Sequence, residues 1–248
     1  MAKYSPLKLR VFDACRLRYR YQYVDRIHAR LRIQDTAGSL VHRVLCDFFS
    51  KVQNAERTSE CLIDMFESGW RALSPRYLQM DGVDDLRRGS LAQLKRFADE
   101  HDLLAQPFAV EPYFQVEIAP NVTLFGRLDR IDEEADGSLH IIDYKTGAQP
   151  DEVDVGQLRL YAIMAAQGLQ RHVSRISFWY LDDGSVWTSD FSAEDAARAR
   201  AALLATVAEM ESTKVYHATI AQHCAHCPYL YACEQRDEIA RRREAEGW

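Results

Sequence analysis

The sequence predicts an α/β protein: a mixed, largely antiparallel sheet flanked by helices, with a helical N-terminal part before it and a cysteine-bearing tail after it. Three observations lead there. Through residues 1–105 apolar positions recur every three or four residues, which is the helical period. From 106 onward the pattern becomes short β-branched and aromatic runs, broken at Pro120-Asn121, Ala135-Asp136-Gly137 and Asp183-Gly184. A long alanine-rich segment then restores the helical period. Strands bracketed by helices in this order pack as layers around one core.

The elements follow in turn. Ser5-Pro6 is an N-cap followed by proline at the first helical position, so a helix is expected from there to about Tyr23. Leu40, Val41, Val44, Leu45, Phe48, Phe49 and Val52 form the apolar stripe of a second helix over 36–53. Helices over 58–73 and 83–104 are separated by Ser74-Pro75 and Asp81-Gly82. Strands are expected at 113–119, 122–131 and 139–144, then a helix over 154–167, then a hairpin of 173–181 with 186–191. Ser192 followed by Asp195 is a capping box for a helix to about Ser212. The tail from His217 ends in a charged helix. These pieces read as one domain over 1–248: a helical part at 1–105, an α/β catalytic core at 106–213, and a cysteine tail at 214–248 that packs with the first helix.

With 248 residues, 47% of them hydrophobic, the chain can bury a large core. Lys3, Lys8 and Arg10 interrupt the N-terminus, so no signal peptide is expected, and no apolar run approaches the ~18 residues of a membrane span. A cytoplasmic protein without a membrane partner is the expectation. The net charge of −6 does not by itself indicate nucleic acid. The first segment does, since Lys3, Lys8, Arg10, Arg16, Arg18, Arg20, Arg26, Arg30 and Arg32 lie together there with Tyr19, Tyr21 and Tyr23 interleaved. The plainer reading of that segment is a solvated helix face carrying core tyrosines. Cysteine in such a compartment argues against a disulfide framework, and Cys46 and Cys61 read as core residues.

The chemistry concentrates at Leu139-His-Ile-Ile-Asp-Tyr-Lys-Thr-Gly147. Strand side chains alternate faces, so Asp143 and Lys145 point the same way. A three-residue loop at 135–137 pairs Glu134 with Ser138 and sets Asp129 opposite Asp143. A two-residue turn at Asp136-Gly137 would instead put the two acids on opposite faces. Carboxylates roughly 5 Å apart repel unless a cation lies between them, and carboxylate oxygens suit Mg²⁺ or Mn²⁺. Such an ion acidifies water and neutralises phosphate, with Lys145 orienting that water or stabilising developing charge. The alternative is a pair of surface acids with a lysine partner. Gln157 and Tyr161, four apart on the next helix, share a face. His42 lies on an apolar stripe, where a lone histidine is more often a satisfied core residue. Cys224-x₂-Cys227-x₅-Cys233 offers three thiolates and needs a fourth ligand; zinc bound by Cys₃His, with His223 or His226, is sound chemistry.

Taken in order, Gly38-Ser-Leu-Val-His42, Gly126-Arg-Leu-Asp129-Arg-Ile-Asp132, Ile142-Asp-Tyr-Lys-Thr-Gly147 and Gln157-Leu-Arg-Leu-Tyr161 resemble the RecB-like branch of the PD-(D/E)xK nuclease superfamily. The likeness spans about residues 5–233. It implies a restriction-endonuclease-like core in which His42, Asp129, Asp143 and the Tyr144 carbonyl bind Mg²⁺ or Mn²⁺. By the same likeness Lys145 is the catalytic lysine, and Gln157 and Tyr161 form the accessory motif of the branch. Cys15 with Cys224, Cys227 and Cys233 looks like the [4Fe–4S] staple of the AddB nuclease domain and of CRISPR-associated RecB-like exonucleases; structural zinc is the alternative.

The function implied is a metal-dependent DNA exonuclease on single-stranded or frayed ends, working beside an integrase in CRISPR adaptation or beside a helicase in recombination, repair or phage replication. The chain has no phosphate loop of its own, so any unwinding must come from a partner. Two rival readings are a catalytically silent DNA-end-binding scaffold and a zinc-stabilised protein without a nucleic-acid role.

Overall fold

A computed structural model describes residues 2–30 and 32–248. The N-terminal part opens with β1 (Ala2–Tyr4), α1 (Pro6–Ala14) and α2 (Arg16–Tyr19), which continues as a π-helical turn, Arg20–Val24. It goes on with α3 (Ile33–Lys51), α4 (Ser59–Arg71), α5 (Pro75–Leu78) and α6 (Val83–Glu100). The strands are β2 (Ala109–Val110), β3 (Tyr113–Ala119), β4 (Val122–Arg127), β5 (Arg130–Glu133) and β6 (Leu139–Lys145). After α7 (Gly156–Leu169) come β7 (Val173–Tyr180), β8 (Val186–Asp190), α8 (Ala193–Ser212) and α9 (Arg236–Glu246).

Among the described residues the strands form a three-stranded sheet, β1-β4-β3, and a five-stranded sheet, β2-β5-β6-β7-β8. Pairing is antiparallel except for β1 with β4 and β6 with β7. The expected mixed, largely antiparallel sheet flanked by helices is therefore present. β6 lies inside the larger sheet and is covered on both faces, which is why it reads as a nearly continuous apolar run. Leu139 and Ile141 pack with Leu158, Met164 and Phe12 from α7 and α1. Ile142 and Tyr144 pack with Leu45, Phe48, Phe66 and Phe97 from α3, α4 and α6. Successive β6 side chains thus alternate between two helical layers.

Three expectations are corrected. The first helix does not run unbroken to Tyr23. Cys15 is extended (φ −163, ψ 111), its N–H closing α1 on the Val11 carbonyl while its sulfur accepts from the Arg18 N–H to begin α2. The run over 122–131 is two strands, because the chain changes sheets at Leu128-Asp129. Leu128 turns fully into the core, and its N–H donates to the Pro112 carbonyl. Cys46 and Cys61 are half-buried rather than core. β1 and β2 are too short to announce themselves in the sequence; each is defined by a partner strand distant along the chain.

The hairpin joining β5 to β6 has the three-residue register. Arg130 pairs with Ile142 and Glu133 with Leu139, the Glu134 N–H donates to the Ser138 carbonyl, and Gly137 takes the left-handed conformation (φ +80). A Cβ at Gly137 would meet just the Arg171 guanidinium, at 3.9 Å, so the backbone angle alone demands glycine there. Gly137→Ala is expected to lower stability by about 1 kcal/mol, which moves the thermal midpoint of a chain this size down by about 2–4 °C in calorimetry.

Candidate active site

The register of β6 determines what reaches the cleft. Past Leu139 and Ile141, the row facing α7 continues with Asp143 and Lys145, so an acid follows two core residues inward. Asp143 is 3% exposed. The Lys145 ammonium stands 2.6 Å from Asp143 Oδ2, at angles outside hydrogen-bond geometry, which leaves this buried oxygen without a directed partner. The ammonium also lies 4.6 Å from the centre of the Phe178 ring and donates to Gln157 Oε1 at 3.4 Å. Gln157 in turn donates from Nε2 to the Tyr161 hydroxyl at 2.8 Å. The expected sharing of a face by Gln157 and Tyr161 therefore takes the form of a direct hydrogen bond.

Asp129 lies in the bend just before β5, one position beyond the Arg130–Ile142 pair. Its Oδ2 accepts from the Tyr144 backbone N–H at 2.8 Å and lies 3.2 Å from His42 Nδ1. Its own carbonyl accepts the Glu111 N–H at 2.9 Å, so the 111–112 segment pins the bend from behind. His42, Asp129, Asp143, Tyr144, Lys145, Gln157 and Tyr161 all line one open cleft. Gly126 admits this crowding: a Cβ there would sit 3.1 Å from Met164 and 3.4 Å from the Tyr161 ring.

The electrostatics follow from burial. Desolvation first and the Asp129 charge second raise the Asp143 pKa, Lys145 and His42 oppose them, and the net is a pKa of about 6. Burial works against protonating His42, but its hydrogen bond to Asp129 and the two carboxylate charges prevail and its pKa rises. Burial and then the Asp143 charge push the Tyr161 hydroxyl up, so it remains a neutral donor.

Two further residues reach the cleft, Glu111, which no sequence feature singles out, and Arg10 of the basic N-terminal segment. Glu111 faces the cleft from a left-handed backbone position (φ +46) and pairs with Arg127 at 3.1 Å. Arg10 reaches in from α1, its Nη1 3.5 Å from Gln157 Oε1. Neither belongs to a motif; the topology alone brings them to the cleft.

The sequence matches the PD-(D/E)XK nuclease superfamily over residues 3–234. The chain belongs to that superfamily. It is 27% identical over 166 residues to a subunit of the ATP-dependent helicase/deoxyribonuclease of Streptococcus agalactiae, in strains of serotypes Ia, V and III. That alignment covers 61% of this chain and 15% of the relative, so the chain spans a small part of the relative's length. A crystal structure from Eubacterium rectale, of a protein assigned as an exonuclease, superposes with a TM-score of 0.55 at 9% identity. It covers 90% of this chain and 86% of its own, and supports the restriction-endonuclease-like fold. Members of the superfamily generally use Mg²⁺ or Mn²⁺.

The tail docks on the N-terminal segment. Leu17 N–H donates to the His217 carbonyl, Arg30 N–H to Pro228, Arg32 Nη1 to His226, and Tyr21 and Tyr231 hydroxyls to Ala232 and His28. Cys15, Cys224, Cys227 and Cys233 line a single small cavity there, with His223 but not His226. Tyr19 stacks on Tyr216 and tilts against Tyr23, and Tyr21 packs on Tyr229. Tyr19 and Tyr21 therefore fasten the segment to the tail, while Tyr21 and Tyr23 stay half-exposed. Among the described residues no group of three or more His, Cys, Asp or Glu side chains is set to hold a metal ion as the chain stands, and no helix is long and apolar enough to cross a membrane.

The donor chemistry at each place nonetheless fits a metal. The cleft offers two carboxylates, one of them buried, and an imidazole; the tail cavity offers four thiols among apolar side chains. A folded-state pKa of about 6 means that Asp143 binds its proton more tightly than in the unfolded chain. Stability of the metal-free protein then falls as pH rises from about 4 to about 6. Asp143→Asn removes that loss. In EDTA it is expected to raise stability at pH 8 by on the order of 1 kcal/mol or more, read as a higher thermal midpoint, and leave it nearly unchanged below about pH 3.5. Added Mn²⁺ should stabilise the parent and not the variant.

Proposed function

We propose that the chain is a metal-dependent deoxyribonuclease, an exonuclease acting on single-stranded or frayed DNA ends, and that it forms one catalytic domain. The observation that supports this most directly is the buried Asp143 carboxylate beside Asp129, with the Lys145 ammonium 2.6 Å away, all opening on one cleft. A buried carboxylate set beside a second acid strains a fold even with one ammonium against it, and persists where chemistry uses it. The relatives are named as part of a helicase/deoxyribonuclease, which supports DNA as the substrate and a helicase as a working partner. The RecB-like motif order supports end processing in recombination, repair or CRISPR adaptation.

His42, Asp129, Asp143 and the Tyr144 carbonyl would hold Mg²⁺ or Mn²⁺. When bound, the cation supplies charge neutralisation at the phosphate and lowers the pKa of water. The protein residues then divide the remaining work. The Asp129 carboxylate is fixed by the Tyr144 N–H and by His42, so its orientation precedes substrate binding. Lys145 is held between Asp143 and Gln157 over the Phe178 ring, poised to orient the attacking water and to stabilise charge on the phosphate oxygens. Gln157, held by the Tyr161 hydroxyl, fixes the lysine from its other side. The four cysteines would hold a [4Fe–4S] cluster, with zinc as the alternative, and join the tail to the first helices.

Lys145→Ala and Asp143→Ala are expected to cut cleavage of end-labelled single strands in Mg²⁺ or Mn²⁺ by about 10²–10³-fold or more, with unchanged circular dichroism. Parent-like cleavage by either variant would remove the assignment. Anaerobically purified protein is expected to absorb in the visible and to contain iron with acid-labile sulfide, both lost in Cys227→Ser; zinc without sulfide would replace the cluster reading.

A further inference from the structure

Most of the cationic side chains around the tail have partners. Arg16 pairs with Glu209, and Arg20 with Asp25 at 2.9 Å. Arg18 differs. Among the described residues it has no carboxylate partner, and its Nε is buried without a hydrogen-bond acceptor. The same is true of Nε2 of His223. Both side chains line the cavity of Cys15, Cys224, Cys227 and Cys233, whose remaining wall includes Leu17, Ile220 and Leu230. A guanidinium N–H buried at this largely apolar cavity is costly unless an acceptor occupies the space beside it.

A centre ligated by four thiolates is such an acceptor. It is net negative, its sulfurs accept hydrogen bonds, and in apolar surroundings it needs a counter-charge that does not dissociate. Arginine stays protonated at every accessible pH and offers a fixed N–H direction. The backbone of the same residue already donates to Cys15 Sγ at 3.5 Å, so Arg18 approaches this ligand set through main chain and side chain together. Burial raises the Cys227 thiol pKa, and the Arg18 charge lowers it in opposition. Taking the four cysteines as ligands of one iron–sulfur centre, we propose that Arg18 is its counter-charge, donating from Nε to a cluster sulfur and setting its reduction potential. The potential of such a cluster depends on net charge and on hydrogen bonds to its sulfurs. A cation favours the more negative, reduced form, so removing it lowers the potential.

The test uses the full chain purified without oxygen. Iron and acid-labile sulfide are measured in the parent first; zinc without sulfide there overturns both the cluster and this role. Midpoint potentials then come from titrations followed by electron paramagnetic resonance. Arg18→Met is expected to shift the reduced-to-oxidised ratio about tenfold toward oxidised, 59 mV for a one-electron couple, at unchanged iron content. Arg18→Lys, which keeps the charge, is expected to recover most of that shift. Equal potentials for parent and Arg18→Met would overturn the proposal and leave the cluster reading intact, as would a lysine variant that behaves like the methionine one. Should Arg18→Met not retain iron, Arg18→Lys decides: a cluster at near-parent potential supports the role, and loss of iron there as well overturns it.

Discussion

A carboxylate inside an apolar strand is the constraint around which this fold is arranged. Asp143 extends a row of core residues on β6, covered by α7 on one side and by the α3, α4 and α6 layer behind the strand. Burial and the nearby Asp129 charge both favour its protonated form, and the Lys145 ammonium and His42 oppose them. Lys145 comes from the same face of the same strand, Asp129 from the neighbouring bend, and His42 from α3. The packing of both helical layers serves to fix this set, which explains why the cleft residues come from six separate stretches of the chain.

The bend at Leu128-Asp129 shows how local geometry and placement cooperate. An unbroken strand would have carried Asp129 onward in the ladder. Instead Leu128 drops into the core, the chain passes from one sheet to the other, and the freed carboxylate accepts the Tyr144 N–H. The glutamate at 111 supports that bend through its backbone while its side chain looks into the cleft. Positioning and surface chemistry are thus supplied by the same segment.

Much of this could be read from the residues. Period and capping located the main helices, and the three-residue loop fixed the β5–β6 register that puts Asp143 and Lys145 on the cleft side. What escaped has a common physical origin: it depends on contacts distant in sequence. β1 exists because β4 is beside it. Glu111 and Arg10 reach the cleft through tertiary packing, and the rings of Tyr19 and Tyr21 find their packing partners in Tyr216 and Tyr229, some 200 residues away. Cys15 stops the first helix because its amide and its sulfur are taken by two different helical turns, a competition that propensity does not register.

The docking of the tail on residues 17–32 has a temporal consequence. The helical turns of this segment find their partners at 217–232, about 200 residues later in the order of synthesis. During translation the amide of Leu17 and the hydroxyl of Tyr21 must therefore wait in water while the sheet between them forms. The thiol of Cys15 waits with them, exposed to the cell's oxidants and to stray metal ions until the tail arrives.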